Sequence, residues 1–205
     1  MLRALSRVEV SERMTSAEFL QYAPDDQKVE LIDGVMIVSP PPLDIHERVV
    51  GFLYTLLRMY VEALDLGEVR GSRTAVILAD DQTYEPDILF VARECLEIIQ
   101  ERGIVGAPDL VIEILSASTA SYDRGTKFRI YEQAGVKELW LIDPYGPAGT
   151  EFYQHEKRTF KPVMSDENGI LHSVVLPNFK LNTHWLWPAE KFITIRAALK
   201  EMGVE

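Results

Sequence analysis

Asp109-Leu110-Val111-Ile112-Glu113-Ile114-Leu115-Ser116 is a dense apolar run whose interior is broken by a single carboxylate. So many branched side chains in so few residues read as a strand covered on both faces, at the centre of a sheet. Alternation along a strand puts Asp109, Val111, Glu113 and Leu115 on one of those faces. Glu113 is the anomaly, because a buried carboxylate must be paired or must coordinate a metal.

Outward from this run, Ile88-Leu89-Phe90-Val91 is a second apolar strand, preceded by Glu85-Pro86-Asp87. Pro86 fixes its own φ and leaves Asp87 at the mouth of that strand. Residues 121–134 read as a helix stopped by Gly135, and 138–142 as a buried strand halted by Asp143-Pro144. Toward the N-terminus, 15–23 is a short helix capped by Thr15 or Ser16. Strands at 28–32 and 35–38 follow, joined by the hairpin signal Asp33-Gly34. The clearest single element is a long helix opening on Asp44, with Glu47 as its capping-box partner, and ending at Gly67. Ile45, Val49, Leu53, Leu56, Leu57, Tyr60, Val61 and Leu64 give it one buried face. Residues 69–78 read as one strand, 150–155 with 158–164 as a hairpin, 173–176 as a strand and 189–202 as a terminal helix. This order predicts an α/β fold, a mixed sheet flanked by helices, in a single domain over 1–205.

At 205 residues the chain can bury a substantial core, and its 47% hydrophobic and 26% charged content is that of a soluble globular protein. No apolar run approaches the length of a membrane span. Residues 1–10 lack the continuous apolar region of a signal peptide, so a cytoplasmic protein is expected. Cys95 stands alone, which excludes an internal disulfide and a cysteine-based zinc site within one chain. The net charge of −11 argues against tight nonspecific gripping of phosphates. It says less about a local cleft, because a metal-binding cleft is itself acidic.

Carboxylates on adjacent strands, Asp87 and Glu113, can share one divalent cation. Oxygen ligands with open positions favour Mg²⁺ or Mn²⁺ over zinc. Lys127 lies in the helix that follows, where Asp123, Lys127 and Tyr131 share a face at i, i+4 and i+8. A lysine so placed can orient an attacking water or stabilise charge developing on a phosphate. Repulsion between the two acids predicts that metal-free Asp87→Asn is at least as stable as the wild type.

Pro86-Asp87 followed by Glu113-Ile114-Leu115 resembles the PD-(D/E)XK motif of restriction-endonuclease-like enzymes. A longer ordered series resembles the Uma-type restriction endonucleases, a family once catalogued as a domain of unknown function. It runs through Val29-Glu30-Leu31-Ile32-Asp33-Gly34, His46, Pro86-Asp87 and Val111-Ile112-Glu113-Ile114-Leu115-Ser116-Ala117-Ser118-Thr119. It continues through Asp123, Lys127, Tyr131 and Gly135-Val136-Lys137-Glu138-Leu139-Trp140-Leu141-Ile142-Asp143-Pro144, and the resemblance covers roughly 15–187. The resemblance implies a restriction-endonuclease-like fold, DNA as substrate, and Mg²⁺ or Mn²⁺ held by Asp87 and Glu113. The superfamily carries a lysine two residues after the glutamate, where this chain has Leu115. In the Uma-type group that lysine sits in the next helix, which points to Lys127. Glu30 is then an extra acid near the metal, with His46, Asp123 and Tyr131 as accessory positions.

Plainer readings stand beside these. Asp87 fits a turn carboxylate, Glu113 a structural salt bridge to Lys127, His46 a solvated first-turn residue, Asp123 a helix cap and Tyr131 a core residue. Trp140, Trp185 and Trp187 read as packing residues. The rival functions are a noncatalytic interaction domain that kept the fold, and a metal-dependent hydrolase of smaller phosphate esters. A homodimer is expected, since cutting both strands of a duplex is simplest with two-fold symmetry, and Phe179, Trp185 and Trp187 are apolar surface candidates.

Overall fold

The computed structural model describes residues 13–24 and 26–204. Residues 1–10, read above for targeting, lie outside the described residues. In chain order the first elements are α1 (Ser16–Tyr22), β1 (Val29–Ile32), β2 (Val35–Val38), α2 (Asp44–Leu64), β3 (Gly67–Gly71) and β4 (Val76–Ala79). Then come β5 (Gln82–Tyr84), β6 (Ile88–Ala92), β7 (Ile99–Gln100), β8 (Gly103–Val105) and β9 (Leu110–Ile114). A helical segment follows, made of α3 (Ala120–Tyr122), a wide π turn (Asp123–Lys127) and α4 (Phe128–Ala134). The chain closes with β10 (Glu138–Ile142), β11 (Glu151–Glu156), β12 (Thr159–Val163), β13 (Ile170–His172), β14 (Lys180–Asn182) and α5 (Ile195–Glu201).

The apolar run of 109–116 holds the place its composition demands. β9 is buried along its length and lies in a six-stranded sheet of order β12-β11-β10-β9-β6-β3. β10 runs parallel to it and β6 antiparallel, so the sheet is mixed. A second six-stranded sheet has the order β2-β1-β5-β4-β8-β7, and β13 pairs with β14. Alternation sorts the central strands between two cores. Ile88, Phe90, Leu110, Ile112, Ile114, Trp140 and Ile142 face the stripe of α2 that carries Val49, Leu53, Leu56, Leu57 and Tyr60. Burying each of those leucines stabilises the fold by about 2 kcal/mol. Val111, Leu115, Leu139 and Leu141 face the other way, against Tyr131, Val136, Tyr84 and Ile32. Glu113 belongs to this second face by alternation.

Several boundaries differ from the sequence reading, each for a local reason. Segment 69–78 is two strands in two sheets, β3 and β4, separated by a turn with Arg73 at φ 72°. Gly71 closes β3 directly before that turn, and the residue in the left-handed conformation is Arg73 itself. α2 starts without a side-chain cap, its N-cap position being Leu43, and it ends at Asp65 in the left-handed region. Leu64 is therefore exposed, at 44%. Gly67 serves a different need: a Cβ there would lie 2.2 Å from the Val91 carbonyl oxygen, so only glycine lets β3 approach β6 so closely. Residues 173–176 form a loop, held by the buried Glu138 carboxylate through Ser173 Oγ (2.7 Å) and Val174 N (3.0 Å). The terminal helix expected over 189–202 is only α5, starting after Thr194, whose hydroxyl caps it. Phe179 is not a surface residue, because it packs edge-on to Tyr60 and tilted against Trp140 within the core. Trp187 is half-buried and donates its indole N–H to the Asp143 carbonyl. Among the described residues no helix is long and apolar enough to cross a membrane.

Candidate active site

The pairing of β6 with β9 decides the geometry. Ile88 is opposite Ile112 and Leu89 opposite Val111, so one further step places Asp87 across from Glu113. Directly opposed residues of an antiparallel pair have Cβ atoms about 5 Å apart on the same face. The two acids foreseen as partners thus meet at one end of the sheet, where β9 gives way to the loop before α3. Asp87 also ties the strands together, accepting the Ile114 backbone N–H at 2.8 Å through Oδ2.

Two basic side chains reach Asp87. Lys28, just before β1, places Nζ 2.8 Å from Oδ1. His46, in the first turn of α2, places Nε2 3.2 Å from Oδ2 and Nδ1 3.2 Å from Glu47. Burial disfavours the Asp87 carboxylate, but Lys28 and His46 outweigh it and hold its pKa well below the ordinary value. The His46 pKa is raised: burial opposes its charge, and the hydrogen bond to Asp87 prevails.

Glu113 is served from the helical segment. Tyr131 donates its hydroxyl to Glu113 Oε1 at 2.7 Å, and Lys127 Nζ lies 3.0 Å from the same oxygen. Lys127 also sits 2.8 Å from Glu30 Oε1 and 3.5 Å from Asp123 Oδ1, with its ammonium over the Tyr122 ring. Glu30 in turn accepts the Glu85 backbone N–H at 3.1 Å. These contacts overcome the cost of burying Lys127 and raise its pKa well above the ordinary value. Lys127 is charged and fixed.

The π turn is what aims it. Phe128 N–H reaches the Asp123 carbonyl, a five-residue step that widens the helix between Asp123 and Lys127. Both of those residues are buried as a result, at 2% and 3% exposure. Helical spacing gave their common face correctly, but no residue type announces the extra step.

All seven residues expected at the site come together. Asp87, Glu113, Lys127, Glu30, His46 and Asp123 line one cleft of about 790 Å³, and Tyr131 lies directly behind Glu113. Lys28 was missed as a site residue, having been read as the start of a strand. The available signal was alternation, which puts Lys28 on the same strand face as Glu30.

The charge balance is uneven. Glu30, Asp87, Glu113 and Asp123 are buried carboxylates, against the ammonium groups of Lys28 and Lys127 and the imidazole of His46. Two of the acids hold their protons more tightly than usual. Burial first, and then Asp87, push Glu113 up to about 7 against the pull of Lys127. Burial likewise raises Asp123. A divalent cation fits this surplus, and the donors are oxygens of the kind magnesium and manganese prefer. Among the described residues no three acidic, imidazole or thiol groups form a ready-made cage. An ion would therefore be held by Asp87 and Glu113, with water or phosphate oxygens completing its shell.

The fold is also that of a known structure. A crystal structure of "a putative nuclease belonging to DUF820" from Anabaena variabilis ATCC 29413 superposes with a TM-score of 0.67 at 22% identity, covering 85% of this chain and 97% of that one. In sequence the chain is similar to an uncharacterized protein, sll1609, of Synechocystis sp. (strain ATCC 27184 / PCC 6803 / Kazusa), at 28% identity over 67% of this chain and 79% of the relative. A second uncharacterized protein of that organism, slr1290, is 26% identical over 63% of this chain and 68% of its own length. The family described as "Uma2: Putative restriction endonuclease" matches residues 16–184, which include every side chain of the cleft named above. By that match the chain belongs to the Uma2 family.

Proposed function

We propose that this protein is a divalent-metal-dependent endonuclease that hydrolyses DNA phosphodiester bonds. The observation that carries the reading is a surplus of buried carboxylates, opening on a cleft, beside one rigid ammonium group. When bound, Mg²⁺ or Mn²⁺ would polarise the phosphate and lower the pKa of an attacking water. The chain's own residues do the rest. Asp87 and Glu113 hold the ion, His46 and the Ile114 N–H orient Asp87, and Tyr131 pins Glu113. Lys127, fixed by Glu30, Glu113 and Asp123, offers a positive charge for the oxyanion that develops on phosphorus.

One observation favours a second reading, a noncatalytic domain that kept the fold. The Lys127 side chain is only 4% exposed and already surrounded by carboxylates, which is how a purely structural lysine would look. Duplex, single-stranded and branched DNA incubated with Mg²⁺ or Mn²⁺, beside EDTA controls, decides between the two. Metal-dependent cleavage is the expected result, and no product from any substrate with either metal favours the noncatalytic domain. Part of the proposal is a cytoplasmic homodimer. With Phe179 in the core, the dimer rests on the symmetry of duplex cleavage alone. Light scattering should give about twice the monomer mass, and a monomer would remove the dimer while leaving the nuclease reading intact.

A further inference from the structure

The two lysines of the cleft are placed differently. Lys127 is enclosed, with 4% of its side chain exposed and three carboxylates within reach. Lys28 has 25% of its side chain exposed, its ammonium meets the Asp87 carboxylate, and it lines the cleft beside Gln27, Ser39 and Pro40. Moving Lys28 breaks one ion pair, that to Asp87, whereas moving Lys127 would strand three acids.

The oxygen Lys28 occupies matters as much. Asp87 Oδ2 already accepts the Ile114 N–H and faces His46 Nε2. Oδ1 carries only the contact to Lys28 among the described residues. Oδ1 is the Asp87 oxygen with the fewer contacts, and a divalent ion accepted there would repel the Lys28 ammonium beside it. That repulsion favours movement of Lys28 away from Oδ1 when an ion arrives. Its flexible stem keeps the ammonium within the cleft, and the group that enters the cleft with the metal is the anionic phosphodiester.

We propose that Lys28 is a displaceable cation: it holds the metal-facing oxygen of Asp87 in the metal-free protein and transfers to the substrate phosphate when a divalent ion takes that oxygen. This rests on the metal-dependent nuclease reading and adds a positioning and substrate-binding role for a residue outside the Asp87–Glu113–Lys127 set.

The signature is a pair of opposite changes in Lys28→Met. Removing the competitor should tighten Mn²⁺ binding by about tenfold in calorimetry. Losing the phosphate contact should weaken duplex binding, measured by fluorescence anisotropy with Ca²⁺ in place of the reactive metal, by about tenfold. Tighter metal with weaker DNA supports the proposal, as does Mn²⁺ binding by Lys28→Met where the wild type binds none. Metal affinity unchanged or reduced overturns it, while binding by the wild type leaves the nuclease reading standing. Absence of Mn²⁺ binding in both proteins overturns that reading and this one together. If Lys28→Met does not fold, the wild type answers the question in a crystal structure with Mn²⁺ bound. Lys28 Nζ still in contact with Asp87 Oδ1 there would overturn the proposal, and Nζ drawn away from it would support it.

Discussion

Replacing Lys127 with Met is expected to destabilise the protein by about 3–5 kcal/mol, because it leaves Glu30, Glu113 and Asp123 buried around an apolar tip. In a chain of this size that corresponds to a fall in Tm of roughly 10 °C. Adding Glu30→Gln removes one stranded charge, so the double variant should recover about 1–2 kcal/mol of the loss. The pair separates structure from chemistry. If Lys127 stabilises the charge developing on phosphorus, the folded double variant should cleave DNA at least about 10²-fold more slowly than Glu30→Gln alone. Mn²⁺ should bind it no less tightly, since a positive charge has left the neighbourhood of the ion. Equal cleavage by the single and double variants, both shown folded by circular dichroism, would reduce Lys127 to a structural residue.

The two acids expected to share an ion should respond oppositely to neutralisation in the metal-free protein. Asp87 is held below its ordinary pKa by its cationic partners, so its charge stabilises the fold above about pH 4 and that contribution is lost as pH falls. Asp87→Asn should therefore cost about 2–4 kcal/mol at pH 8, with Lys28 and His46 left facing an amide. Glu113 has the reverse sign. Its pKa rises from 4.5 to about 7, so ionising it opposes folding progressively across that interval. Glu113→Gln should be close to wild type in stability at pH 4.5 and more stable by about 1–2 kcal/mol at pH 8. Urea denaturation in EDTA at the two pH values measures both effects, and the same sign for both variants would refute the assignment of charges. Both should nonetheless lose most of their Mn²⁺ affinity. The repulsion argument made from sequence thus transfers from Asp87 to Glu113, because sequence alone does not show that Lys28 and His46 are both on Asp87.

That transfer marks where the sequence stops being legible. The strand carrying Glu113, the mouth position of Asp87 and the shared face of Asp123, Lys127 and Tyr131 follow from alternation and helical spacing, which are local properties. Their convergence agrees with the ordered series of residues that resembled the family. The break at Arg73 and the misread loop at 173–176 are different in kind. At the first, Gly71 ends one strand, but a single glycine inside an apolar segment does not show that the chain leaves for another sheet there. At the second, a buried glutamate, Glu138, supplies the hydrogen bonds that a partner strand would have provided. Both depend on contacts made across long stretches of chain.

The wide turn between Asp123 and Lys127 constrains the length of this segment as well as its residues. A π turn is an α-helix carrying one inserted residue. Deleting Gly125, which has open space where a Cβ would go, would restore α-helical winding. Everything on one side of the deletion would then turn by about 100° relative to the other. Tyr131 and Val136 are anchored in the core. The strain would therefore fall on the N-terminal side, carrying Asp123 and Tyr122 away from the ammonium they now surround. A relative with both acids and the lysine but one residue fewer between Ser116 and Tyr131 would align well on paper while presenting a differently wired centre. Counting residues across this interval is thus a sharper guide to shared chemistry than matching the charged letters alone.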